Sequence, residues 1–146
     1  MIKRDKNGLT EEEFLQAYKP GDYDRPSVTV DMVVYRLKKD LSSLQLLLIR
    51  RKNHPYIDCW ALPGGFIGIK ESAYEAACRE LKEETNLSDV YLEQLYTMTQ
   101  PDRDPRMRVI DIVYTALLPY GNVQKEHAGD LSLIHISEPT RRVVIS

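Results

Sequence analysis

The segment Ser72 to Asn86 constrains this chain more than any other. Ser72 and Glu75 have the spacing of a capping box, and the run that follows, Ala73 to Thr85, has the apolar periodicity of an amphipathic helix. At about 100° per residue, Glu80, Glu83 and Glu84 fall within one arc roughly 100° wide. Tyr74, Ala77 and Leu81 lie to one side of that arc and can seat the helix on a sheet, while Glu75 and Arg79 stand i,i+4 on the other. Like charges at this spacing cost a few tenths of a kcal/mol per pair. Two readings answer that cost. Either a hard divalent cation such as Mg²⁺ or Mn²⁺ sits on the carboxylates, or the stripe is a solvated face with Arg79 and Lys82 as counter-charges. The helix alone does not separate them.

Around this helix the chain reads as strands. Val28 to Arg36 and Leu44 to Arg51 are rich in apolar and β-branched residues and flank a polar turn at Lys38 to Ser43, so they predict a strand pair. Pro63-Gly64-Gly65 predicts a tight loop. Tyr91 to Thr99 and Arg108 to Leu118 predict two further strands, joined by a charged, proline-containing loop from Gln100 to Met107. Thr10 and Glu13 make another capping box before Phe14, Leu15 and Tyr18, and Pro20-Gly21 stops that short helix, which is expected to serve packing or a dimer contact. Strand, strand, helix, strand, strand argues an α/β protein, with a mixed sheet and helices packed on it.

Composition narrows the function classes. A chain of 146 residues with 42% hydrophobic content supports one domain. A formal charge of −2 gives no general attraction for nucleic acid or an anionic membrane, so a polyanion must be met by a local site. Cys59 and Cys78 are the only cysteines, too few for a disulfide scaffold or a zinc site, and are read as free thiols. The longest apolar stretch, Leu46 to Ile49, is far too short to span a bilayer, and a cytoplasmic protein is expected.

The wider spacing adds to the helix. Gly65, Glu71, Arg79-Glu80-Leu81, Glu83-Glu84 and Asn86-Leu87 resemble the Nudix box, G-x5-E-x7-R-E-U-x-E-E-x-G-U with U apolar, and Trp60-Ala61-Leu62-Pro63-Gly64-Gly65 is similar to that family's lead-in. The departure is Asn86 where the family has Gly. That position ends the helix and asks for a left-handed backbone, which Asn tolerates best after Gly. The resemblance implies an α/β/α sandwich, here without its C-terminal closing helix, and a Mg²⁺- or Mn²⁺-dependent pyrophosphohydrolase. It implies Glu80 and Glu84 as principal metal ligands, Glu83 as an assistant and the Gly65 carbonyl as a further oxygen. Glu71 and Arg79 would form a salt bridge orienting loop and helix. The general base stays open between a box glutamate and a residue on a distant loop, such as Glu126.

Tyr91 to Thr97 and Arg103-Asp104-Pro105-Arg106-Met107-Arg108-Val109 resemble a bacterial branch containing ADP-ribose pyrophosphatases and ADP-ribose-sensing transcription repressors. This implies a nucleotide-type small molecule as substrate, most suitably ADP-ribose cut to AMP and ribose 5-phosphate. The alternative is an ADP-ribose sensor domain whose DNA-binding domain is absent from this chain. Because Glu80, Glu83 and Glu84 are all present, the enzyme is favoured. Arg103, Arg106 and Arg108, like Arg50, Arg51 and Lys52, are either phosphate or ribose contacts or solvated polar loops. Trp60 is either a stacking platform or core. Leu131 to Arg141 resembles a translated sequencing-library adapter, so residues 1–130 are expected to be the Nudix domain and 131–146 a foreign tail.

Overall fold

The computed structural model describes residues 3–121, 131–135 and 143–144. Among them, one mixed sheet is formed by eight strands, Ser27–Leu37 (β1), Leu44–Arg50 (β2), Trp60–Ala61 (β3), Gly64–Phe66 (β4), Glu93–Met98 (β5), Val109–Leu118 (β6), Leu131–His135 (β7) and Val143–Val144 (β8). Two α-helices accompany it, Glu11–Ala17 (α1) and Ala73–Thr85 (α2). The α/β class and the mixed sheet are as the sequence predicts.

The spine is β1, whose β-branched sequence suits a strand buried on both faces. It runs parallel to β6, from Ser27 opposite Val109 to Arg36 opposite Leu118. Its other edge changes partner along its length. Thr29 to Asp31 pair antiparallel with β4, and Tyr35 to Leu37 pair antiparallel with β2. At the changeover the Met32 N–H donates to the Pro63 carbonyl at 2.8 Å. Beyond that fork, β2 continues away from β1 to pair with β3 through Ile49 and Arg50. The strand β5 closes the opposite edge by pairing with β6.

The α2 helix covers one face. Val30, Met32 and Val34 of β1 alternate inward there, as do Tyr114 and Ala116 of β6, and they meet Ala76, Ala77 and Leu81. Both helix caps form as the sequence predicts. Ser72 accepts from the Glu75 N–H while Glu75 reaches back, and Asn86 ends the helix at φ 59°, ψ 18°. Truncating buried Leu81 to Ala would cost about 2–5 kcal/mol.

Three expectations need correction or placement. Pro63-Gly64-Gly65 is not a tight loop: Gly64 and Gly65 enter β4, because the chain must lie flat against β1. The capped helix α1 forms but buries none of its residues, so the packing role is not found; its aromatics pack on each other instead, Phe14 with Tyr18 and Tyr18 with Tyr23. The strands β7 and β8, in the stretch expected to be foreign, join the sheet by backbone pairing with β2 and β3. No helix among the described residues follows α2, and residues 122–130 and 136–142, where Glu126 and a closing helix would be sought, lie outside them. Among the described residues no helix is long and apolar enough to cross a membrane.

Candidate active site

The fork in the sheet opens a cavity of about 560 Å³, lined by Arg50 and Arg51 at the end of β2, Gly64 to Phe66 of β4, Glu83 and Glu84 of α2, and Arg106. Its floor is backbone. A side chain at Gly64 would collide with the Val30 carbonyl and the Asp31 carboxylate, and one at Gly65 would displace the Glu80 carboxylate. Gly64 therefore lets β4 lie close against β1, and Gly65 lets the Glu80 carboxylate of α2 approach β4. The Gly64 N–H, left free on that side, donates to Glu84 Oε2 at 2.8 Å.

The i,i+4 pair Glu80 and Glu84 thus converges on two consecutive glycines. Glu80 is held by Arg79, whose Nη1 lies 2.7 Å from its Oε1. Arg79 also grips Glu71 with two hydrogen bonds, Nη2 to Oε1 at 2.6 Å and Nε to Oε2 at 3.0 Å, and donates to the Phe66 carbonyl at 3.2 Å. Glu71 accepts the Gly68 N–H at 2.7 Å as well. The expected Glu71–Arg79 salt bridge is therefore formed, and it ties the loop after β4 to α2. It holds the Glu71 carboxyl down to about 2. Glu83 is the outlying member, more exposed, 3.5 Å from Arg79.

Glu84 has the opposite electrostatics. Burial pushes its carboxyl up to about 7; the Gly64 amide and Arg51 oppose the rise, and the charges of Glu80 and Glu83 add to it. A half-buried glutamate with too little positive charge beside it, close to two more carboxylates, is where a hard cation would relieve the most repulsion, and the donors are the oxygens such an ion takes. The residues fit a divalent cation, with Glu80 and Glu84 positioned to hold it and Glu83 at hand. Among the described residues no three acidic, histidine or cysteine side chains are already gathered into a ligand cluster.

The arginines divide. Arg51 lines the cavity and is braced by its Nε donating to the Pro55 carbonyl at 2.8 Å. Arg106 also lines it, with its guanidinium 5.5 Å from the centre of the Phe66 ring. Arg103 does not: its side chain is only 8% exposed and pairs with Asp111 at 3.6 Å. Arg108 is spent on the Thr99 carbonyl, at 2.6 Å. Arg50 pairs with Asp58 at 3.2 Å. Trp60 is half-buried in β3 and outside the lining of this cavity. Cys59 and Cys78 are free. Phe66, Asp31 and Asp111 belong to no motif in the sequence. The two aspartates did leave a signal, a lone acid inside each of the apolar runs Ser27–Leu37 and Val109–Leu118.

Against known proteins, the NUDIX domain model matches residues 25–135. The chain is 38% identical over 122 residues to the ADPR responsive transcriptional repressor NtrR of Acinetobacter baylyi, covering 82% of this chain and 48% of that protein. It is 45% identical over 92 residues to an ADP-ribose pyrophosphatase of Methanocaldococcus jannaschii, covering 63% of this chain and 51% of that one. This chain thus spans about half the length of these curated relatives. The solved NUDIX domain of Shewanella oneidensis NrtR, complexed with ADP ribose, superposes with a TM-score of 0.75 at 35% identity, covering 87% of this chain and 84% of that one.

Proposed function

This chain belongs to the NUDIX domain family, and from that premise we propose that it is a divalent-cation-dependent pyrophosphohydrolase acting on ADP-ribose, yielding AMP and ribose 5-phosphate. The observation that carries this reading is the half-buried Glu84 carboxylate in a cavity that Glu83 also lines and whose cationic wall holds Arg50, Arg51, Lys52 and Arg106. The acidic wall suits a cation, and the cationic wall suits a diphosphate.

In the reaction, a water oxygen bonds to one phosphorus as the bridging P–O bond breaks. The bridging oxygen leaves with the other phosphate, and the water's proton passes to solvent or a carboxylate. A bound Mg²⁺ or Mn²⁺ would supply charge neutralisation and acidify water. The protein's own part is positional. Arg79 fixes Glu80, the Gly64 amide fixes Glu84, and Arg51 and Arg106 set the diphosphate across from them. ADP-ribose is favoured because a relative named for its hydrolysis and a structural neighbour solved with it both resemble this chain.

A second reading, an ADP-ribose-sensing domain, is favoured by the likeness to a repressor over most of this chain. Turnover separates the two. We expect Mg²⁺-dependent release of AMP from ADP-ribose, and Glu84→Gln should lower kcat by roughly 10²–10³-fold, the scale of losing one group that stabilises transition-state charge. Tight ADP-ribose binding without turnover would select the sensor. Nucleoside triphosphates outcompeting ADP-ribose in a substrate panel would reject the substrate.

A further inference from the structure

On the sheet face away from α2, a charged cluster lies inside the molecule. Thr29 of β1 stands opposite Asp111 of β6, and its hydroxyl donates to Asp111 Oδ1 at 2.9 Å. Asp31, two residues along β1, lies beside the same carboxyl. Both aspartates are fully buried. The cluster takes its cation from the loop between β5 and β6: the Arg103 guanidinium reaches in to 3.6 Å from Asp111 Oδ2. Asp111, withdrawn from water, pairs with that guanidinium by charge, and a buried charge without its partner is costly.

The same loop ends at the cavity. Next to Arg103, Asp104 accepts the backbone N–H of Arg106 at 2.9 Å and grips its guanidinium at 3.0 and 2.8 Å. Arg106 then lies over Phe66 at the cavity wall. Arg108 closes the base of the loop through the Thr99 carbonyl. One end of this short arm is pegged in the interior and the other presents a cation to the site.

We propose that Arg103 is a positioning residue: pegged by Asp111, it holds the loop so that Asp104 can set Arg106 at the diphosphate-binding wall, and it thereby controls how tightly the nucleotide is held. The role rests on the ADP-ribose reading above. An unpegged loop would have to be ordered each time ligand binds, which weakens affinity and leaves the chemistry at Glu80 and Glu84 untouched.

The test uses the full chain with ADP-ribose and Mg²⁺, reading Kd by calorimetry alongside KM and kcat. Arg106→Ala should weaken binding roughly tenfold, the loss of one charge-assisted contact. Arg103→Gln should match it, raising Kd and KM with kcat within about twofold, and in the Arg106→Ala background it should add less than about twofold. Because Arg103→Gln strips a cation from buried acids, Asp104→Ala is the companion: it cuts the arm on its outer side, leaves the peg in place, and should raise Kd to the same extent. Full additivity of Arg103→Gln with Arg106→Ala, or an unchanged Kd in Asp104→Ala, would overturn the proposal. Failure of the parent chain to bind ADP-ribose at all would instead reject the substrate reading, and the proposal with it.

Discussion

Two arginines in this molecule sit between carboxylates, and water treats them differently. Arg79 is about a third exposed and joins Glu71, Glu80 and Glu83 on or beside α2. Arg103 is nearly buried and meets Asp111, with Asp31 and Thr29 behind it. Beside Arg79, Glu71 is held well below the usual carboxylate range, while at Arg103 burial pushes Asp111 upward despite its arginine. The same pair of chemical groups is a solvated staple in one place and a desolvated anchor in the other. The first shapes the site's ligand face, and the second fixes what surrounds it.

The comparison breaks most directly on stability. Arg103→Gln leaves buried acid uncompensated and should destabilise the protein by about 3–5 kcal/mol. Arg79→Gln leaves partners that still reach solvent in part, unlike the wholly buried Asp111, and should cost clearly less. Urea denaturation of the two variants measures both, and an equal or reversed order would show that burial does not separate the two arginines.

Next in size is the effect of a cation on the acidic face. An ion bound only by the folded state at a hundredfold excess over Kd contributes about 2.7 kcal/mol. The melting midpoint should therefore rise by roughly 4–10 °C when millimolar Mg²⁺ or Mn²⁺ is added to chelator-treated protein. The rise should shrink in Glu80→Gln and Glu84→Gln and persist in Arg103→Lys, because the buried cluster takes no part. Identical midpoints with and without chelator would make the stripe a solvated face.

The smallest effect is in pH. Glu84 ionises near 7 in the fold against an ordinary 4.5, so its contribution is complete below about 4.5 and is lost as pH rises through about 7. Glu71 runs the other way: its contribution is present above about 4.5 and is lost as pH falls toward 2. Metal-free Glu84→Gln should thus melt above the parent at pH 8 and lose that advantage near pH 4. The same offset at both pH values would show that Glu84 is not poised by burial.

What could be read from the sequence follows the same division. The caps at Ser72 and Asn86, the Glu71–Arg79 bridge and the shared face of Glu80 and Glu84 are all set by spacing along one short stretch, and each appears as expected. Thr29 and Asp111 are 82 residues apart and meet only because β1 and β6 are parallel neighbours, which no local pattern encodes. Arg103 and Arg106 are indistinguishable as sequence, and the course of the loop between β5 and β6 turns one inward and the other to the cavity. The sequence marks Gly64 as a turn former, whereas its lack of a side chain serves close approach within a strand.

The partner change along β1 has a consequence for how such a site can vary. The opening arises where one strand passes its backbone pairing from β4 to β2, so it is a property of main-chain connectivity. Side chains around it decide what enters, yet none of them makes the hole. A lineage could therefore exchange Arg51, Phe66 or Arg106 and drift from one phosphate ester to another without rebuilding the architecture, which lets one scaffold explore many ligands at little structural risk.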